Sequence, residues 1–138
     1  MILLINSSQT DLIQLKLISE NKIVDQSENR EKFRQSELLL GMIDKLLQKN
    51  KVSLKSLKCL AVVSGPGAFS ALRLGVATAN AMAWTLSVPV IELSVSQANS
   101  HSLFKIINQK SKKIKVFKSI IPKYGKEPNI TVAKKSNN

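Results

Sequence analysis

Cys59-Leu60-Ala61-Val62-Val63-Ser64-Gly65-Pro66-Gly67 is the run that decides the architecture. Its first five residues are apolar in succession, without the alternation of a half-exposed strand, so the run reads as a central strand covered on both faces. Gly65-Pro66-Gly67 ends it in a tight turn. The uncharged, alanine-rich stretch that follows reads as a helix reaching about Leu86, with Ser70 as its cap. Val88-Pro89-Val90-Ile91-Glu92-Leu93 is the next strand, with Pro89 near its beginning, where a missing amide donor is tolerated. Strand, helix, strand in this order implies an α/β layered domain.

Upstream, Met1 to Ile5 reads as a short buried strand ended by Asn6-Ser7-Ser8. Ile13, Leu15 and Leu17 supply a second strand and Ile23-Val24 a third, and Glu20-Asn21-Lys22 has the length and residue types of a hairpin turn. From about Asn29 to Asn50, Phe33, Leu39, Leu40, Ile43, Leu46 and Leu47 recur mostly at three- and four-residue steps, which predicts a helix with one apolar face. Leu38 and Met42 make that face wider than packing on a single sheet requires, which reads first as a broad core face and second as a face of which part meets a second helix or a partner chain. In the later helix Gly75, Ala79 and Ala83 repeat every fourth residue, a nearly flat face that lets another helix approach closely, while Leu72, Val76 and Trp84 place bulk elsewhere. Downstream, Ser94 or Ser96 caps a short helix reaching about Asn108, and only Val116–Ile121 and Ile130–Val132 look orderable beyond it.

A chain of 138 residues with 43% apolar side chains holds one domain with a real core, and 4% aromatic residues means that aliphatics fill it. The formal charge of +12 is uneven: residues 1–100 carry net +3 and residues 101–138 net +9, with ten lysines and one glutamate. Such an end attracts RNA phosphates through counterion release, with Lys110, Lys112, Lys113, Lys115 and Lys118 as candidate contacts; it also reads as a solvated end that keeps the protein soluble. The single cysteine, Cys59, excludes an internal disulfide and reads as a buried thiol in a strand. The N-terminus lacks the basic start and long apolar run of a signal peptide, so a cytoplasmic protein is expected. Leu74–Ile91 is uncharged, but Thr78, Asn80, Thr85, Ser87 and Pro89 interrupt it, and a membrane span is rejected.

The residues offer little catalytic chemistry. Gly65, Pro66 and Gly67 before a helix start, with Ser70 and Arg73 close behind, form either a structural turn or a possible anion site. The Lys-Ser or Lys-Thr end of a P-loop is absent, as is the third glycine of a dinucleotide loop. His101 is the only histidine, so no metal cluster is recognisable, and no Gly-x-Ser-x-Gly elbow presents a serine to it and to Asp44 or Asp11. Asn6 stands where magnesium-assisted phosphoryl transfer would want an acid. No cofactor is expected, and a small nucleotide-binding protein is the last-ranked reading.

Gly65-Pro66-Gly67-Ala68-Phe69-Ser70-Ala71-Leu72-Arg73-Leu74-Gly75 resembles the Gly-Pro-Gly-Ser-Phe-Thr-Gly-Leu-Arg-Ile-Gly stretch of TsaB (YeaZ) proteins. Ala83-Trp84 and Val88-Pro89-Val90-Ile91 are similar to that family's Gly-Leu-Ala-Trp and Ile-Pro-Val-Ile segments, and Gln35–Ile43 to its His-Ser-Gln-Leu-Leu-Leu-Pro-Met-Ile helix. Asn6, Gln35, Gly41 and Ala71 depart from the family's Asp, His, Pro and Gly. The resemblance implies one lobe of an actin-like ATPase (ribonuclease H-like) fold over residues 1–97, a mixed sheet with helices packed on it, followed at 98–138 by a reduced, lysine-rich remnant or tail. In it Ile121-Pro122-Lys123-Tyr124-Gly125-Lys126-Glu127-Pro128 is similar to the family's Pro-x-Tyr-x-Arg-x-Pro ending. It also implies a non-catalytic scaffold in tRNA threonylcarbamoyladenosine modification that binds TsaD, with TsaE in the assembly, through a bundle of the two helices. On this sequence the contacts would be Leu39, Met42, Ile43, Leu46, Leu72, Val76, Ala79, Asn80 and Ala83. The same face could pair two copies of the chain, and the basic end could contact tRNA.

Overall fold

The computed structural model describes residues 1–114 and 116–123. Strands β1 (Ile2–Gln9), β2 (Leu12–Ser19) and β3 (Lys22–Asn29) form an antiparallel meander. Glu20 and Asn21 both take positive φ between the paired residues Ser19 and Lys22. That is the two-residue turn whose twist suits a hairpin, so Lys22 belongs to β3 rather than to the turn. The third strand is longer than Ile23-Val24 because its backbone pairs along the whole of β2, although its side chains stay largely in solvent.

Helix α1 (Gln35–Lys49) starts later than expected because β3 occupies the chain as far as Asn29. A 3-10 turn at Leu54–Ser56 leads to β4 (Cys59–Gly65), helix α2 (Phe69–Leu86) and β5 (Val90–Ser94). The sheet order is β3-β2-β1-β4-β5, with β4 parallel to both β1 and β5. Every residue of β4 is buried, as its unbroken apolar sequence requires. Ser94 caps a single turn, α3 (Val95–Ala98), in a reciprocal capping box with Gln97. The expected single helix is thus divided, and a second one, α4 (Leu103–Lys113), follows.

Two cores result. Leu39, Ile43, Leu46 and Leu47 of α1 and Val76, Ala79 and Ala83 of α2 meet Leu3, Ile5, Leu15 and Val62 on one face of the sheet. Leu103 and Ile107 of α4 meet Leu4, Cys59, Ala61 and Ile91 on the other. Among the described residues no helix is long and apolar enough to cross a membrane. Burial pushes the Cys59 thiol up to about 11, which leaves almost no thiolate near neutrality. The folded protein is therefore expected to resist a thiol reagent such as DTNB and to react only once denaturant opens the core, read as absorbance of the released chromophore.

Val116–Ile121 is neither strand nor helix; it returns across the fold to α2, where Phe117 and Ile120 pack on the α1/α2 core. Lys115, Tyr124 and the expected Ile130–Val132 element lie outside the described residues.

Candidate functional site

β1 does not stop at Asn6. Its end, Asn6-Ser7-Ser8, is buried and still in strand geometry because its side-chain oxygens are hydrogen-bonded within the segment or to α2. The Asn6 Oδ1 accepts from the Ser8 backbone N–H at 3.1 Å and from Ser8 Oγ at 2.8 Å. Ser7 Oγ donates to the Ala71 carbonyl at 2.6 Å, and the Ala68 N–H donates to the Ser8 carbonyl at 2.9 Å. These bonds tie the start of α2 to the end of β1. A side chain on Gly67 would collide with the Ser8 carbonyl, and one on Gly75 with Ser7 Oγ.

Ser70 is not the cap: α2 starts at Phe69 from Ala68, with no side-chain cap bond, and Ser70 lies exposed in the first turn. Docking on β1 replaces the cap, because the β1 carbonyl already positions the Ala68 amide. The open depression beside the turn, about 450 Å³ between Ser8, Gln9, Thr10, Pro66, Gly67, Ala68 and Val95, has no lysine or arginine among its described lining residues. Arg73 instead lies over the Phe69 ring, 5.3 Å from its centroid. Gln35, where the family's histidine would stand, is buried and donates through Nε2 to the Gln9 carbonyl at 2.7 Å. Among the described residues no three His, Cys, Asp or Glu side chains gather into a metal site.

A family profile described as TsaD, tRNA N6-adenosine threonylcarbamoyltransferase, matches residues 31–113. The chain belongs to this family. It is 37% identical over 76 residues to the tRNA threonylcarbamoyladenosine biosynthesis protein TsaB of Buchnera aphidicola subsp. Baizongia pistaciae, a match that covers 50% of this chain and 34% of that protein. Over 67 residues it is 40% identical to the tRNA N6-adenosine threonylcarbamoyltransferase of Geotalea uraniireducens, covering 49% of this chain and 19% of that protein. The solved structure of YeaZ from Pseudomonas aeruginosa superposes with a TM-score of 0.63 at 24% identity, over 70% of this chain and 48% of that one. The mixed five-stranded sheet is thus one lobe of the actin-like, ribonuclease H-like fold, and the chain is of the TsaB/YeaZ type. In each of these matches less than half of the relative's length is spanned.

On this TsaB/YeaZ-type lobe the anticipated contact residues divide by burial. Leu39, Ile43, Leu46, Leu72, Val76, Ala79 and Ala83 are buried within the chain, so their side chains are not surface contacts. The small-residue face of Gly75, Ala79 and Ala83 is turned inward: Gly75 lies against Ser7 of β1, and Ala79 and Ala83 are buried in the core that α2 shares with the sheet and with α1. Met42 is half-buried at the edge of the core.

Asn80 is committed to the chain itself. Its Nδ2 donates to the Ile120 carbonyl at 2.9 Å, and its Oδ1 accepts from the Ile120 N–H at 2.9 Å. The Lys123 N–H donates to the Ser64 carbonyl at 2.6 Å, and the Lys123 carbonyl fills the place where Gly65, at φ 144°, would otherwise carry a side chain. Asn80→Ala is expected to cost about 1–2 kcal/mol and to speed amide hydrogen exchange at Ile120, measured by thermal unfolding and by exchange mass spectrometry.

What α2 leaves in solvent is a different stripe: Arg73, Ala77, Ala81 and Trp84, the last 70% exposed. The three- and four-residue steps pass over this stripe when attention goes to the larger apolar residues, yet Ala77 and Ala81 repeat with the same four-residue spacing as the buried set. Beside them Leu54, Ala81, Met82, Thr85 and Leu86 line a shallow depression of about 190 Å³. On α1, Leu40 is 66% exposed. Lys112, Lys113 and Lys118 are exposed and Lys110 is half-buried.

Proposed function

We propose that this chain is a non-catalytic scaffold subunit of tRNA threonylcarbamoyladenosine modification that binds the cognate TsaD protein through the outer faces of α1 and α2. The observation that carries the reading is the exposed stripe Ala77-Ala81-Trp84 with its adjoining depression at Leu54 and Met82. Small side chains allow a partner helix to approach the α2 backbone, a large aromatic gives it an anchor, and the depression accepts one apolar side chain. The partner contacts are therefore Met42 and Leu40 on α1 and Ala77, Ala81 and Trp84 on α2, with the buried residues acting by holding the two helices at their angle.

TsaE would join the same assembly through TsaD. A homodimer through this face is the competing occupant, and sedimentation of the isolated chain distinguishes the two. Residues 98–138 are proposed as the remnant of a second lobe, of which α4 and the segment reaching Lys123 are the described part. Contact of the basic end with tRNA would rest on its charge alone, ten lysines against one glutamate in residues 101–138. Co-purification of tagged chain with cognate TsaD tests the reading, and failure of the folded chain to retain TsaD overturns it.

A further inference from the structure

After α4 the chain crosses the outer edge of β5 towards α2, and the crossing encloses a cleft of about 570 Å³. Its apolar lining is Ile114 and Ile120, both half-buried, with Ile121 exposed at the edge and Val90 fully buried beneath. Lys110, Lys113, Lys118 and Lys123 stand around it, with Glu92 as the single carboxylate among the described lining residues.

That carboxylate is already paired. Ser64 Oγ donates to Glu92 Oε2 at 2.9 Å, as does Lys123 Nζ at 2.9 Å. Burial alone would raise the Glu92 carboxyl, but the bonds from Lys123 and Ser64 outweigh it and hold it below the ordinary range. Lys110 Nζ donates to the Glu92 carbonyl at 2.5 Å and to Gln97 Oε1 at 3.3 Å, neither of which cancels its charge. Lys113 and Lys118 have no ion pair among the described residues. Four lysines thus stand against one carboxylate, which attracts Lys110 as well as Lys123, and the described lining keeps a net charge of +3 beside its apolar residues.

We infer that this cleft binds a small aliphatic anion, a carboxylate or phosphate monoester whose hydrocarbon body lies on Ile114, Ile120 and Ile121 and whose charged end sits between Lys113 and Lys118. Its size falls in the range of small-molecule sites, about 300–1,000 Å³, and its make-up, an apolar wall with a few convergent polar groups, is theirs as well. Single-stranded RNA fits it poorly, because such recognition stacks bases on aromatic or arginine planes and the described lining has neither. Lysines beside an edge strand also discourage pairing with other chains; that role alone would leave the cleft without a ligand.

The test is an NMR titration of the full chain with octanoate and, separately, octyl phosphate, against octanol and octylammonium. The expected result is saturable shifts at the Val90, Ile114 and Ile120 amides with one or both anions and none with the other two. In the surface variant Lys113→Gln/Lys118→Gln the anion affinity is expected to fall at least about fivefold. Four results overturn the inference: no saturable shift at those amides, equal binding of octanol, unchanged affinity in the double variant, or preferential occupation of the cleft by a short RNA oligonucleotide. The partner reading on α1 and α2 is untouched by any of them.

Discussion

Gly75→Val is expected to destabilise the lobe by about 1–3 kcal/mol. A β-carbon at Gly75 meets Ser7 Oγ, with Ile5 Cγ2 at 3.6 Å, and Ser7 cannot swing away without losing its bond to the Ala71 carbonyl. Glycine in a helix interior costs up to about 1 kcal/mol relative to alanine, so Gly75→Ala gains helix propensity while paying in contact, and a smaller net loss follows. Gly41 supplies the control. It is exposed on α1, and nothing lies within 4 Å of where its β-carbon would be. Gly41→Ala is therefore expected to stabilise by about 0.5–1 kcal/mol. Urea unfolding of the three variants checks both signs, and a neutral Gly75→Val would mean that α2 does not rest on Ser7.

Ala77→Arg/Ala81→Glu is expected to weaken TsaD binding by at least about tenfold while leaving the unfolding curve where it was. Both side chains point into solvent, so the charges cost nothing in the free chain and must be desolvated only when a helix closes over the stripe. Trp84→Ala removes the anchor without adding charge and is expected to act in the same direction. Ala79→Arg is no substitute: Ala79 is fully buried against the sheet, and an arginine there attacks the fold before it reaches any interface.

Much of the architecture was legible because it is local. Five apolar residues at Cys59–Val63 place a central strand, Glu20-Asn21-Lys22 marks a hairpin turn, and Ser94 or Ser96 marks a cap, which the structure gives to Ser94. What sequence pattern missed was decided by partners far along the chain. Asn6-Ser7-Ser8 looks like a strand terminator, yet the Asn6 side-chain oxygen and both serine hydroxyls are bonded to a neighbour or to the first turn of α2, and the strand continues. The spacing of Gly75, Ala79 and Ala83 correctly signals a close approach, but periodicity cannot say whether a helix or a sheet makes it. Here Gly75 lies against Ser7 of the sheet and Ala79 and Ala83 are buried in the core, so the interface proposed for α2 is the exposed stripe of Ala77, Ala81 and Trp84. Asn80 was legible as special but not its role, because Ile120 lies 40 residues away.

The most direct test is isothermal titration of the full chain with purified cognate TsaD, run in parallel with the Ala77→Arg/Ala81→Glu variant. Saturable one-to-one binding by the unmodified chain, lost or at least about tenfold weaker in a variant that remains folded, is the expected result. No heat of binding with the unmodified chain, or equal affinity in the folded variant, would contradict the assignment of the α1/α2 outer face as the TsaD site.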